Sequence, residues 1–325
     1  MKVRERGVAL LLVLLILALM VTIAAEITER NGRTYLRTVT QIDQLQAKWY
    51  GRAAEAMVRK ILHRDKQDSQ QKTHLAQNWA QTERQFQFEG GEVRGQIVDA
   101  QACFNLNSIN QGGGDQNSDP YPARVFQQLL LNLQVKPVQA AHVTAALRDW
   151  IDTNNNTMTG GAEDEMYMAL ERPYLAANQP MQDVSELRMV SGVDASLYRK
   201  LLPYVCVLPT STLLVNINTL RESQGALLAA LFLKDQDIFP AIKLLQKRPR
   251  TGWDSVATFL ALPQLTEIET SVVIPNLAVS SDYFMAHFYI LIGSRQFSQH
   301  SLMIWKGKDI YSVQRKYGLT MMVVP

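Results

Sequence analysis

Two cysteines in 325 residues are few, and Cys103 and Cys206 are not spaced as a CxxC pair. The histidines, His63, His74, His142, His287 and His300, are scattered. Neither set has the ligand spacing of a zinc site. No GxSxG, HExxH or glycine-rich phosphate loop occurs, so the common hydrolase, metalloprotease and nucleotide-binding signatures are missing. Charge of one sign is lacking too. The formal net charge is +3, and no basic stripe points to a nucleic-acid partner. The first proline is Pro120, so no proline breaks a helix before it. After Ala25 there is no second apolar run able to cross a bilayer.

What is present starts with one such run. Val8 to Ala25 is apolar except for Thr22, and it follows Lys2, Arg4 and Arg6. The basic flank puts the N-terminus in the cytoplasm and the bulk of the chain on the far side. A cleaved secretory signal, cut near Ala24 and Ala25, is the competing reading, but its apolar core would be shorter. The helical pattern also continues. Tyr35, Val39, Ile42, Leu45, Trp49, Ala53 and Ala56 recur at steps of three and four. A helix from Val8 to about Leu62, half-buried along that stripe, would be about 80 Å long.

A basic leader ending in Gly7, an apolar stretch from Val8 and one long helix resemble a type IV pilin or a type II secretion pseudopilin. The resemblance implies cleavage between Gly7 and Val8 by a prepilin peptidase, followed by methylation of the new N-terminus. The chain departs from that pattern at Leu12, where the family carries Glu. That Glu pairs with a neighbouring subunit's terminal amine, and a buried carboxylate is costly without a partner. Its absence fits a place at the filament's end.

Residues 64–83 read as a helix end and a polar loop. Gln85 to Phe88 and Glu92 to Ala100 read as a hairpin around Gly90-Gly91, with Cys103 to Asn107 extending its second strand. A Gly-Gly-Gly-Asp loop at 112–115 then marks a boundary. From about Pro122 to Tyr204 the apolar spacing is helical, with stripes at Val125, Leu129, Leu130, Leu133 and at Val143, Leu147, Ile151. Strand character returns at Leu213 to Ile217, and 221–262 is helical. Two strong strands follow, Tyr283 to Ile292 and Gln296 to Trp305, with a last strand or irregular tail from Tyr311. The fold expected is α+β: a pilin-like long N-terminal helix packed on an antiparallel β-sheet, with an inserted all-α domain. The divisions are 1–7 leader, 8–62 helix, 63–107 β region, 108–206 insert and 207–325 pilin-like unit resumed. Cys103 and Cys206 flank the insert. An oxidising compartment permits a disulfide closing a loop of about a hundred residues, worth about 4 to 5 kcal/mol at most. Two buried free thiols are the alternative.

The richest constellation lies between Arg148 and Arg172, where six residues are acidic and none is basic. Counting from Asp152, Asp152, Asn154 and Asn156 occupy positions 1, 3 and 5, and Glu163 position 12. That is the ligand spacing of an EF-hand calcium loop, with the Met158 carbonyl at position 7. Thr157 stands where the motif wants Gly. A solvated acidic turn is the bland alternative.

The run DWID…GAEDEMY, with Pro173-Tyr174, Asn178-Gln-Pro180, Ser185-Glu186-Leu187, FNLNSIN at 104–110 and VNINT at 215–219, resembles the general secretion pathway protein K family. The resemblance spans nearly the whole chain. It implies no enzyme but a minor pseudopilin in the inner membrane, its bulk in the periplasm, at the pseudopilus tip. Its partners would be other minor pseudopilins, the major pseudopilin filament and prepilin peptidase. It also implies two calcium ions in the insert. Carried over, Asp152, Asn154, Asn156, Glu163 and Asp164 are the calcium candidates, with Asn178, Asp183 and Glu186 completing a second site. The competing functions are a calcium-dependent periplasmic hydrolase on a membrane anchor and a DNA-binding minor pilin. For the latter, Leu187 to Val193 has the form of a helix-hairpin-helix turn, but Asp194 sits where a phosphate would approach.

Overall fold

The computed structural model describes residues 8–69, 72–81, 84–113, 119–233, 238–265 and 270–318. Gly7 and the leader lie outside the described residues, and Val8 begins the first helix. That helix, α1, runs unbroken over Val8–Asp68, 61 residues or about 90 Å. It extends past the expected end near Leu62 because Asp65 is recruited to the fold. The Asp65 carboxylate accepts hydrogen bonds from the Trp79 amide at 2.7 Å and from the Asn78 side chain at 2.8 Å. The first part of α1 is apolar enough to cross a membrane, with a mean hydropathy of 3.1 over eighteen residues, all of them outside the protein core.

The second half of α1 packs on a five-stranded antiparallel sheet of order β1-β2-β7-β8-β9. Its members are β1 (Arg84–Phe88), β2 (Gly91–Asp99), β7 (Tyr283–Ile292), β8 (Arg295–Lys306) and β9 (Asp309–Tyr317). Both predicted hairpins form, and β9 is the last strand among the described residues. Period-two alternation in β7 turns Phe284, Ala286, Phe288, Ile290 and Ile292 toward α1.

The face of α1 that meets them is not the expected stripe. Tyr35, Ile42, Leu45 and Trp49 are 56–69% exposed. The buried residues are Ala47, Gly51, Ala54, Glu55, Val58, Leu62 and Asp65. Small residues win this face because the helix lies close to the sheet. A Cβ on Gly51 would sit 2.0 Å from Gln299 Oε1. Glu55, 1% exposed, receives Arg315 through Nε at 2.7 Å and Nη2 at 2.8 Å, with Ser301 Oγ at 2.7 Å. Burial alone would raise its pKa, but these hydrogen bonds outweigh burial and hold the carboxyl below its ordinary value.

The remaining elements form a helical body. Its helices are α2 (Tyr121–Asn132), α3 (Pro137–Ile151), α4 (Asp164–Met168), α5 (Ala195–Leu201), α6 (Gly225–Leu231), α7 (Phe239–Gln246) and α8 (Val256–Leu260). Two parallel two-residue ladders stitch it: β3 (Phe104–Asn105) with β4 (Val205–Cys206), and β5 (Val215–Asn216) with β6 (Leu277–Ala278). The segment from Cys103 therefore does not extend β2, and Val215 does not rejoin the main sheet. One core of buried side chains runs from Phe104 through Leu277. The helices after residue 207, assigned from sequence to the resumed pilin-like unit, thus pack with the insert. Cys103 and Cys206 are joined by a disulfide across 103 residues, with Cα atoms 5.8 Å apart.

Sheet and helical body meet at Asp99, the last residue of β2. Its Oδ2 accepts from Ser281 Oγ at 2.5 Å, Thr219 Oγ1 at 2.6 Å and Asn216 Nδ2 at 3.0 Å, and Oδ1 from the Gln101 amide at 2.8 Å. Replacing Asp99 with Ala strands these donors in a buried seam, and the expected loss is about 3 kcal/mol or more. Chemical denaturation of the detergent-solubilised chain measures it, and an unchanged midpoint refutes it.

Candidate metal centre

Helix α3 ends at Ile151, and Asp152 is its C-cap. Asp149 and Asp152 are three residues apart, so both project from one side of the helix end. The chain loops out, reverses at Gly160 with φ +78°, and returns Glu163 to the same place as the N-cap of α4. One oxygen from each of Asp149, Asp152 and Glu163 lies within 4.8 Å of the other two. Among the described residues this is the group of acidic, histidine and cysteine side chains with the closeness a metal ion requires.

Asp149 is fully buried and anchors the loop. It accepts hydrogen bonds from the Met158 amide at 3.2 Å and the Ala162 amide at 2.9 Å. The loop presses on it so closely that a Cβ on Gly161 would lie 2.0 Å from Asp149 Oδ2. Glu163 is 2% exposed, yet neither carboxylate oxygen has a hydrogen-bond partner. A buried carboxylate left like this is expensive. Burial raises the Glu163 pKa to about 7, and repulsion from Asp149, Asp152 and Asp164 adds to it. Burial likewise raises Asp149 to about 6, against the two amide hydrogen bonds, and also raises Asp152. Three acids that resist ionisation together are a set a hard cation would stabilise, and carboxylate oxygens are the donors such a cation prefers.

Of the residues predicted as ligands, Asp152 and Glu163 are brought together. Asn154 and Asn156 lie exposed on the loop. Asp152 Oδ1 accepts from the Asn154 amide and Asn154 Oδ1 from the Asn156 amide, so these side chains curl the loop itself. Asp164 accepts from Asn155 Nδ2 and from the Ala176 amide, both at 2.9 Å, and Asn178 donates to Asn155 Oδ1 at 2.7 Å. These residues form a neighbouring polar knot in which Asn178 Oδ1 is buried without a partner. Asp183 and Glu186 form a capping box on the short 3-10 turn Val184–Met189, and Asp183 also pairs with Lys316 of β9. Sequence reasoning missed Asp149 as a candidate because the EF-hand register starts at Asp152. The signal available was the D-x-x-D spacing at a helix end.

Comparison with known proteins agrees with this architecture. The family model for type II secretion system protein K matches in two parts, over residues 102–210 and 215–280. The chain is 51% identical to type II secretion system protein K of Klebsiella pneumoniae, over 97% of each chain. It is 46% identical to that of Pectobacterium carotovorum subsp. carotovorum, over 98% of each. Among solved structures it resembles a chain of the GspK-GspI-GspJ complex from the type 2 secretion system of enterotoxigenic Escherichia coli. That match has a TM-score of 0.80 and 34% identity, covering 87% of this chain and 100% of that one.

The raised carboxyl pKa values fix a sign for the metal-free protein. Between about pH 4 and pH 7 the folded state holds more protons on Asp149 and Glu163 than the unfolded state does. Stability therefore falls as pH rises through that window, by on the order of 6 kcal/mol for the two groups together. Denaturation midpoints in chelator at pH 5 and pH 7.5 test this, and Glu163→Gln should remove the larger part of the difference, leaving the part that Asp149 contributes. Two matched family segments, full-length relatives and a shared fold lead to one assignment: the chain belongs to the type II secretion system protein K family.

Proposed function

We propose that this chain is a minor pseudopilin that sits at the tip of the type II secretion pseudopilus, joined to other minor pseudopilins, and supports pseudopilus assembly and protein export. The observation that carries this reading is the exposed apolar face of α1. Ile27, Tyr35, Ile42, Leu45 and Trp49 are all more than half exposed, on the helix that continues directly from the candidate span. A stripe of that size on a single chain marks an association surface. The solved relative is a component of a complex with GspI and GspJ, and partners of that kind suit a helix face. Leu12, in place of the family Glu, and the bulky helical body both favour the end of a filament over its repeat. The work is structural. Anchoring in the inner membrane, the periplasmic location, cleavage between Gly7 and Val8, methylation, and contact with the major pseudopilin and prepilin peptidase belong to the same reading.

Calcium is the cation proposed for Asp149, Asp152 and Glu163. Its role would be to brace the helical body, because binding free energy adds to folding free energy. The three carboxylates would supply only part of the six to eight oxygens that calcium takes, so the affinity should be modest, in the range of extracytoplasmic modules.

The test is co-purification of the detergent-solubilised chain with its neighbouring minor pseudopilins. Ile42→Glu with Trp49→Glu should abolish the complex while leaving the denaturation midpoint of the single chain within about 0.5 kcal/mol, since both sites are exposed. A complex that survives the double substitution refutes the helix-face reading. Calcium at millimolar concentration should raise the thermal midpoint of the wild type and not that of Asp152→Asn with Glu163→Gln.

A further inference from the structure

His142 lies on α3, seven residues before Asp149 and so on the same side of the helix. It is half-buried, and both ring nitrogens are engaged. Nδ1 is 2.7 Å from the Gly160 carbonyl oxygen, and Nε2 is 2.9 Å from Ser191 Oγ. A carbonyl only accepts, so Nδ1 carries the hydrogen and donates it. In the neutral ring Nε2 is then bare and accepts from the Ser191 hydroxyl. Two left-handed glycines close on the ring from either side. Gly160 has φ +78° and supplies the carbonyl. Gly192 has φ +82°, and a Cβ there would fall 2.7 Å from His142 Cδ2.

The residue after Gly160 is the one whose backbone presses on Asp149, and the amide of Ala162 donates to that same carboxylate. The imidazole therefore pins the loop immediately before its contact with Asp149. It also ties that point to the Ser191–Gly192 turn, which is distant in sequence. We propose that His142 is a positioning residue of the metal loop and carries cation occupancy to the Ser191–Gly192 turn. This rests on the reading that Asp149, Asp152 and Glu163 hold a divalent cation.

Residues that orient a metal site from outside it typically change affinity by about 10- to 100-fold when removed. The experiment is calorimetric titration of the full chain in detergent with calcium chloride, together with hydrogen exchange at the amides of residues 190–193. His142→Leu should weaken calcium binding by about tenfold or more. His142→Asn, whose amide can reproduce the Nδ1 donor, should stay within about threefold of the wild type. His142→Gln, which reaches toward the Nε2 position instead, should behave as Leu does. Calcium should slow exchange at the turn in the wild type and in Asn, but not in Leu. Midpoints in chelator serve as the folding control. Equal affinity in Leu and wild type overturns the proposal, as does Asn binding no better than Leu. A wild type that binds no calcium overturns the metal reading itself, which is a distinct result.

Discussion

The structure turns on one buried carboxylate. Asp99 closes β2, and the groups that hydrogen-bond to it come from the start of the helical body's second half and from the approach to β7. Burial pushes its pKa up, against the pull of Ser281, Thr219, Gln101 and Asn216. Asn216 also donates to the Thr73 carbonyl, and the Ser281 amide donates to Thr73 Oγ1, so the segment after α1 joins the same seam. Four stretches of chain thus meet around one acceptor, which ties the sheet to the helical body as the Asp183–Lys316 pair does elsewhere.

The asparagine-rich motifs work on the same principle. Asn105, Asn107, Asn216 and Asn218 are all at most 5% exposed. Asn107 donates to the carbonyls of Met181 and Leu208 and accepts from the Met181 amide. Asn218 donates to the Trp253 carbonyl and accepts from its amide. An asparagine side chain offers the same donor and acceptor as a peptide unit. Each therefore substitutes for a strand neighbour where irregular backbone is buried. The acidic loop is the counter-case: in Glu163 the side chain's needs are left unmet by the protein.

Much of this was legible in the sequence because it is local. The apolar start of α1, most of its length and both hairpins follow from short-range periodicity and turn residues. The errors share a cause, which is contact between distant segments. Tyr35, Ile42 and Trp49 look like a core stripe because they are large and apolar. The true inner face, Ala47, Gly51, Ala54 and Val58, looks weak until the sheet is brought close enough to need small residues. Phe104 reads as a strand continuing β2, yet its partner is Val205. Asp149 reads as ordinary helix until the chain returns Glu163 beside it. The family motifs were recognisable, but their meaning as backbone substitutes was not.

The helix that joins the candidate span to the sheet has a mechanical consequence. Among the described residues of α1 no proline interrupts it, and its far half is bolted to the sheet by Glu55 and the Gly51 contact, with Asp65 holding the turn that follows the helix. Gly32 is the one glycine in its free half, with nothing within 4 Å of where a Cβ would lie. Axial displacement applied at the apolar end is therefore delivered to the sheet with little loss in a hinge. Lateral bending concentrates near Gly32, so the molecule is stiff as a piston and compliant as a neck.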